Sequence, residues 1–124
     1  MIVFSNAERG RILAAILGHC GLMPAFCSTL KEARRLSSRE AIRLVFCEER
    51  LTDGRFDELL EETSARTKLP LIVVLSGSDL ESHLEARQLG AFECIREPFS
   101  EKEINGIVHD ALLSVPVRVG SRGQ

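Results

Sequence analysis

Two unbroken apolar runs, Leu44-Val45-Phe46-Cys47 and Leu71-Ile72-Val73-Val74-Leu75, constrain this chain more than any other feature. Neither alternates apolar with polar residues, so neither suits a strand with one wet face. Strand-length runs that are apolar on both faces belong in a parallel sheet covered by helices on each side. Three further runs of strand length, Ile2-Val3-Phe4, Met23 to Cys27 and Phe92 to Ile95, bring the number to five. The segments between them are long enough for one helix in each crossover, as right-handed βαβ connections require.

Those segments carry helical periodicity. From Glu8 to His19, the residues Ile12, Leu13, Ile16 and Leu17 form one stripe; Phe56, Leu59, Leu60 and Thr63 form a second. Ile104, Ile107, Val108, Ala111 and Leu112 repeat at i, i+3, i+4, i+7 and i+8, the pattern of an amphipathic helix. Capping boxes predict three helix starts: Thr29 with Glu32, Ser78 with Glu81, and Ser100 with Glu103. Gly21, Pro70, Gly90 and Pro98 punctuate the boundaries. The expected fold is a three-layer α/β/α sandwich around a five-stranded parallel sheet in the flavodoxin-like order 2-1-3-4-5; a barrel would need eight units. The domain is expected over residues 1–113. Residues 114–124 (SVPVRVGSRGQ) lose periodicity and read as a linker or C-terminal tail.

Size and composition narrow the function classes. A chain of 124 residues is room for one domain with a real core. Its formal charge of −2, with six Phe and no Trp or Tyr, argues against nucleic-acid binding by bulk charge or base stacking. The basic cluster Arg34, Arg35, Arg39 and Arg43 is diluted by Glu32 and Glu40 and reads as a solvated helix face. No apolar run is long enough to span a bilayer, and the first residues lack a signal peptide's basic, apolar and small-residue order. Cys20, Cys27, Cys47 and Cys94 form no CxxC pair and are expected as reduced thiols of a cytoplasmic protein. His19, His83 and His109 fall in separate helices without metal-ligand spacing.

In an open parallel sheet, ligands sit beyond the carboxyl ends of the strands. Those ends here are Ser5-Asn6, Glu48-Glu49, Ser76-Gly77 and Glu97-Pro98. In order along the chain stand IVFSNAERGRIL, LVFCEERLTDG, LIVVLSGSD and LGAFECIREPFS. With these stretches the chain resembles the receiver domain of bacterial two-component response regulators over roughly residues 2–113. The most specific stretch is the last, where Gly-Ala, an aromatic and a residue-Pro-Phe turn recur at the family's spacing. The resemblance implies a cis peptide bond at Glu97-Pro98.

It also implies a phosphorelay site, in which an acidic pair after the first strand holds Mg²⁺ and an aspartate after the third strand takes a phosphoryl group. A hydroxyl after the fourth strand and a lysine after the fifth then meet that group. Carried onto this chain, the acidic pair falls on Ser5 and Asn6, the phosphoacceptor on Glu48 and the hydroxyl on Ser76. The lysine position falls on Glu97, and the aromatic that reports activation falls on Cys94. Two lost carboxylates weaken the attraction for Mg²⁺. A like-charge contact at Glu97 would cost a phosphoryl group about 4 kcal/mol at an effective dielectric near 20. The expectation is a degenerate receiver: no catalysis, no cofactor, Mg²⁺ binding lost or weak.

Glu48 reads either as a partial mimic of the phosphorylated state, with Ser76 as its responding donor, or as a solvated loop carboxylate. Arg50 or Arg96 could supply a cation. The implied partners are a protein or a covalently linked output domain, with a homodimer through the helix four–strand five–helix five face. That face would include Leu80, Leu84, Arg87, Arg96 and Lys102. Three alternatives stand beside this: a working relay receiver with an unusual acceptor, a flavodoxin-like domain binding a small ligand, and a purely structural spacer or docking domain of a larger regulator. The second would need a phosphate loop after the first strand, where SNAERGR supplies only Gly10.

Overall fold

A computed structural model describes residues 1–39, 42–66, 69–76 and 80–114. Ser78 of one expected capping box, Glu40, and residues 115–124 of the expected tail lie outside the described residues. The chain runs β1 (Ile2–Val3), α1 (Ala7–His19), β2 (Phe26–Cys27), α2 (Leu30–Arg39), β3 (Val45–Glu48), β4 (Arg50–Leu51) and β5 (Gly54–Arg55). It continues through α3 (Phe56–Arg66), β6 (Leu71–Leu75), α4 (Leu80–Leu89), β7 (Glu93–Arg96) and α5 (Glu101–Ser114).

Five strands form one parallel sheet in the order β2-β1-β3-β6-β7. Counting only these strands, this is the expected 2-1-3-4-5. The two unbroken apolar runs supply the centre. Every residue of β3 and β6 is buried, because side chains alternate between two covered faces. Val45, Cys47, Leu71 and Val73 pack with Leu30, Leu59 and Ala86 beneath α2, α3 and α4. Phe46, Ile72 and Val74 pack with Leu13, Leu17, Ile104 and Val108 beneath α1 and α5.

Several local expectations are corrected. The second strand is Phe26–Cys27 rather than Met23–Cys27: Met23 is 97% exposed, and Pro24 has no N–H to give a ladder at the sheet edge. Ile12 leaves the stripe of α1, because its neighbour Leu13 takes the buried position one-quarter turn away. The third strand includes Glu48, which the sequence reading put after the strand. The Asp-Gly-Arg turn forms a two-stranded antiparallel ladder, β4 with β5, ahead of α3.

At α2 the capping box is shifted. Thr29 Oγ1 accepts from Glu32 N–H at 3.1 Å, but the Glu32 carboxylate accepts from Ser28 N–H at 3.0 Å rather than from Thr29. Asp53, from the β4–β5 turn, accepts from Leu30 N–H and Lys31 N–H at 2.9 and 3.1 Å and completes the cap. At α5, Ser100 Oγ accepts from Glu103 N–H as expected. Gly10 lies within α1, with Phe26 and Phe4 close to where a Cβ would stand, and is not part of a phosphate-binding loop. All four cysteines are free thiols, as expected. No helix among the described residues is long and apolar enough to cross a membrane.

Candidate functional site

The parallel sheet brings the expected positions together at the carboxyl ends of β1, β3, β6 and β7. The peptide bond Glu97-Pro98, just beyond β7, is cis. Glu48 ends β3 with only 5% of its surface exposed, which rules out a solvated loop carboxylate. A buried carboxylate needs donors and a counter-charge. Ser5 provides two donors: its N–H and its hydroxyl both reach Glu48 Oε1, at 2.6 and 2.9 Å.

The counter-charge is Arg9, from the first turn of α1, and not Arg50 or Arg96. Arg9 Nη1 donates to Glu48 Oε2 at 2.5 Å, while its Nε and Nη2 both reach Glu97 Oε1 at 2.7 Å. One guanidinium therefore holds carboxylates from the ends of two strands, which its planar fork of five donors suits better than the compact point charge of a lysine ammonium. The hydrogen bond to Glu97 raises the Arg9 pKa above its ordinary value, with the Glu48 charge adding to it against desolvation. Phe4 lies under the guanidinium, 5.4 Å from ring centroid to Cζ.

Asn6 sets the first turn that carries Arg9. Its backbone is extended and its Oδ1 accepts from Glu8 N–H and Arg9 N–H, an N-cap arrangement. Its amide oxygen is thus committed to the helix. Ser76 does not respond to Glu48. Its hydroxyl and N–H reach Glu49 Oε1 instead, at 3.3 and 3.4 Å. Glu49 in turn is fixed by its backbone, whose N–H donates to Val74 O.

These groups do not fit a receiver's magnesium ion. Ser5 and Asn6 are neutral, Asn6 Oδ1 is engaged in the cap, and both nearby carboxylates already face a cation. Among the described residues no group of three or more His, Cys, Asp or Glu could hold a metal. A cleft of about 790 Å³ opens beside the bridge, lined by Arg9, Ser76, His83, Cys94, Arg96 and Glu97. Cys94 stands in β7 where the resemblance places an aromatic; it is buried against α4, its Sγ 3.8 Å from His83 O, and burial pushes its thiol up to about 11. Arg96 is exposed at the end of β7 and lines the same cleft as Glu97.

The proposed contact face is only partly as expected. Leu80 and Leu84 lie on α4 with 69% and 52% of their surface exposed, and Lys102 is exposed on α5. Arg87 is committed within the fold, with Nη1 2.9 Å from Glu93 Oε1 of β7. Sequence reasoning missed Arg9. The signal was available: Glu48 and Glu97 are two anions without a partner, and Arg9 is the basic residue closest to the carboxyl end of β1.

No family model matches the chain. The response regulator protein PilR of Pseudomonas aeruginosa is 26% identical over 113 residues, 90% of this chain and 25% of PilR. The chain thus spans about a quarter of the length of the curated relative it matches. The receiver domain of NtrX from Brucella abortus superposes with a TM-score of 0.79 at 24% identity, over 91% of this chain and 97% of that one. A longer NtrX chain, in complex with ADP, gives 0.81 at 23% over 91% of this chain and 25% of its own. A response regulator receiver domain from Clostridium thermocellum gives 0.81 at 18%, over 90% and 91%. With five parallel strands in the order β2-β1-β3-β6-β7 and this similarity along nine-tenths of its length, the chain has the fold of response-regulator receiver domains and is similar to them in sequence.

Proposed function

We propose that this chain is a receiver domain that transmits signals by protein–protein contact and does not undergo Mg²⁺-dependent aspartyl phosphorylation. The observation that carries this reading is the Arg9 guanidinium held between Glu48 and Glu97. A metal ion would meet a resident cation there, and an incoming phosphoryl group would meet two carboxylates. Glu48 in this reading is a structural anion rather than an acceptor, and the domain is not an enzyme and needs no cofactor. The longer relatives PilR and NtrX support a covalently linked output domain as the partner, in a cytoplasmic protein. The exposed leucines of α4 support contact through the α4–β7–α5 face, by homodimerisation or with another protein, without direct nucleic-acid binding.

The test is an amide NMR titration with millimolar Mg²⁺ and beryllofluoride, which imitates a phosphoryl group. The expected result is no saturable shift at Asn6, Glu48, Ser76 or Glu97. Saturable shifts at those amides would overturn the reading and make the domain a working relay receiver.

A further inference from the structure

We infer that Arg9 is a tethered plug: a contact that seals Glu48 inside the fold and latches α1 to both β3 and the β7–α5 turn. The inference rests on the reading that this pocket takes no phosphoryl group, and adds what keeps it closed.

Three observations carry it. The first is the gradient of exposure: the Glu48 side chain is 7% exposed, while Arg9 and Glu97 above it are 32% and 34% exposed. Arg9 is therefore a cover on Glu48 rather than a neighbour beside it. The second is reach. In the sheet order β3-β6-β7, β6 separates the strand that carries Glu48 from the strand that leads to Glu97, roughly 10 Å at ordinary strand spacing, and both glutamate side chains converge on one guanidinium between them. The third is preorganisation. Asn6 fixes the first turn of α1, Phe4 supports the guanidinium from below, and Ser5 holds the other oxygen of Glu48. The latch is thus built by residues from β1 through α1, not by one chance contact on the surface.

Charge explains why the plug is needed. Without Arg9, Glu48 and Glu97 would face each other as two anions, one of them buried. Glu48 would be driven towards water, releasing Ser5, and the ends of β3 and β7 would lose their tie. The cation comes here from the helix, and the carboxylate from the far strand end where the resemblance places lysine. Moving the cation to position 97 should therefore restore the tie from the other side.

The experiment is amide hydrogen exchange followed by NMR on the full chain, comparing wild type with Arg9→Gln, Arg9→Lys and the double variant Arg9→Gln/Glu97→Lys. In Arg9→Gln, exchange at Ser5 and at the amides beyond β7 should accelerate about tenfold or more, while Val73 in the sheet centre is unchanged. Arg9→Lys should fall between, because one ammonium cannot hold both carboxylates as a fork. The double variant should recover protection at Ser5. Unchanged exchange in Arg9→Gln, or no recovery in the double variant, would overturn the latch. Should Arg9→Gln fail to fold, Arg9→Lys decides: wild-type protection there would overturn the forked latch. Beryllofluoride shifts in the wild type would overturn the functional reading on their own, whatever the variants do.

Discussion

At the scale of single residues, the fold depends on charges satisfied across the chain rather than along it. Asp53 illustrates this as well as Arg9 does. Its carboxylate caps α2 from 23 residues away through Leu30 N–H. The Leu30 N–H holds the Asp53 carboxyl below its ordinary value, with the Lys31 N–H and the Arg34 charge acting the same way against desolvation. A depressed carboxyl contributes stability that is complete above the unfolded value and is lost as pH falls through the folded one. Asp53→Ala should therefore cost about 1 kcal/mol at neutral pH, as lost caps do. Urea melts at neutral and acidic pH should converge for wild type and variant as the carboxyl protonates. Asp53→Asn, which keeps one acceptor oxygen but loses the charge and the second acceptor, should lose only part of that stability and show no acid-dependent change. A constant gap at every pH would show that the cap does not depend on the charge.

At the scale of elements, the short ladder between β3 and α3 is a clasp. Leu51 is buried, and Arg55 reaches Glu85 of α4 at 3.3 Å, so the ladder touches both α2 and α4. Its turn depends on Gly54, whose φ of +151° few other residues adopt. A Cβ there would stand 2.6 Å from Glu58 Oε2 and 2.7 Å from Leu30 Cδ1. Glu58 is exposed and can swing away; Leu30 is fully buried and cannot. Gly54→Ala should lower stability by about 1–3 kcal/mol, read as a fall in thermal midpoint. An unchanged midpoint would mean the clasp is not held where it stands. The sequence showed the turn residues at Asp53-Gly54 but not the ladder, because two-residue strands leave no periodicity to detect.

At the scale of the whole molecule, the sheet has two covered faces, and the proposed contact uses the outer surfaces of the helices. Lys102 provides a cleaner probe of the proposed α4–β7–α5 face than Arg87. Reversing Arg87 would also break its pair with Glu93 and disturb β7, whereas Lys102 is an exposed residue of α5. Lys102→Glu should weaken self-association or output-domain contact at unchanged thermal midpoint, measured by sedimentation over a concentration series. Association that persists unchanged would move the contact to another face.

The sequence by itself determined the architecture. Two all-apolar runs demanded a covered parallel sheet, helical stripes such as Ile104, Val108 and Ala111 supplied the covers, and the order of the elements left one topology favoured. It also placed Ser5, Glu48, Ser76 and Glu97 at one end of that sheet, since every strand of a parallel sheet ends on the same side. Their pairing was decided only by the tertiary structure. Whether Ser76 meets Glu48 or Glu49, and whether the cation is Arg9, Arg50 or Arg96, depends on side-chain directions at strand ends and on one helical turn. Hydrophobic periodicity is a local, repeated signal that survives in a linear string. An ion bridge joining residues 9, 48 and 97 is made once, across three separate elements, and exists only where the fold brings them within reach.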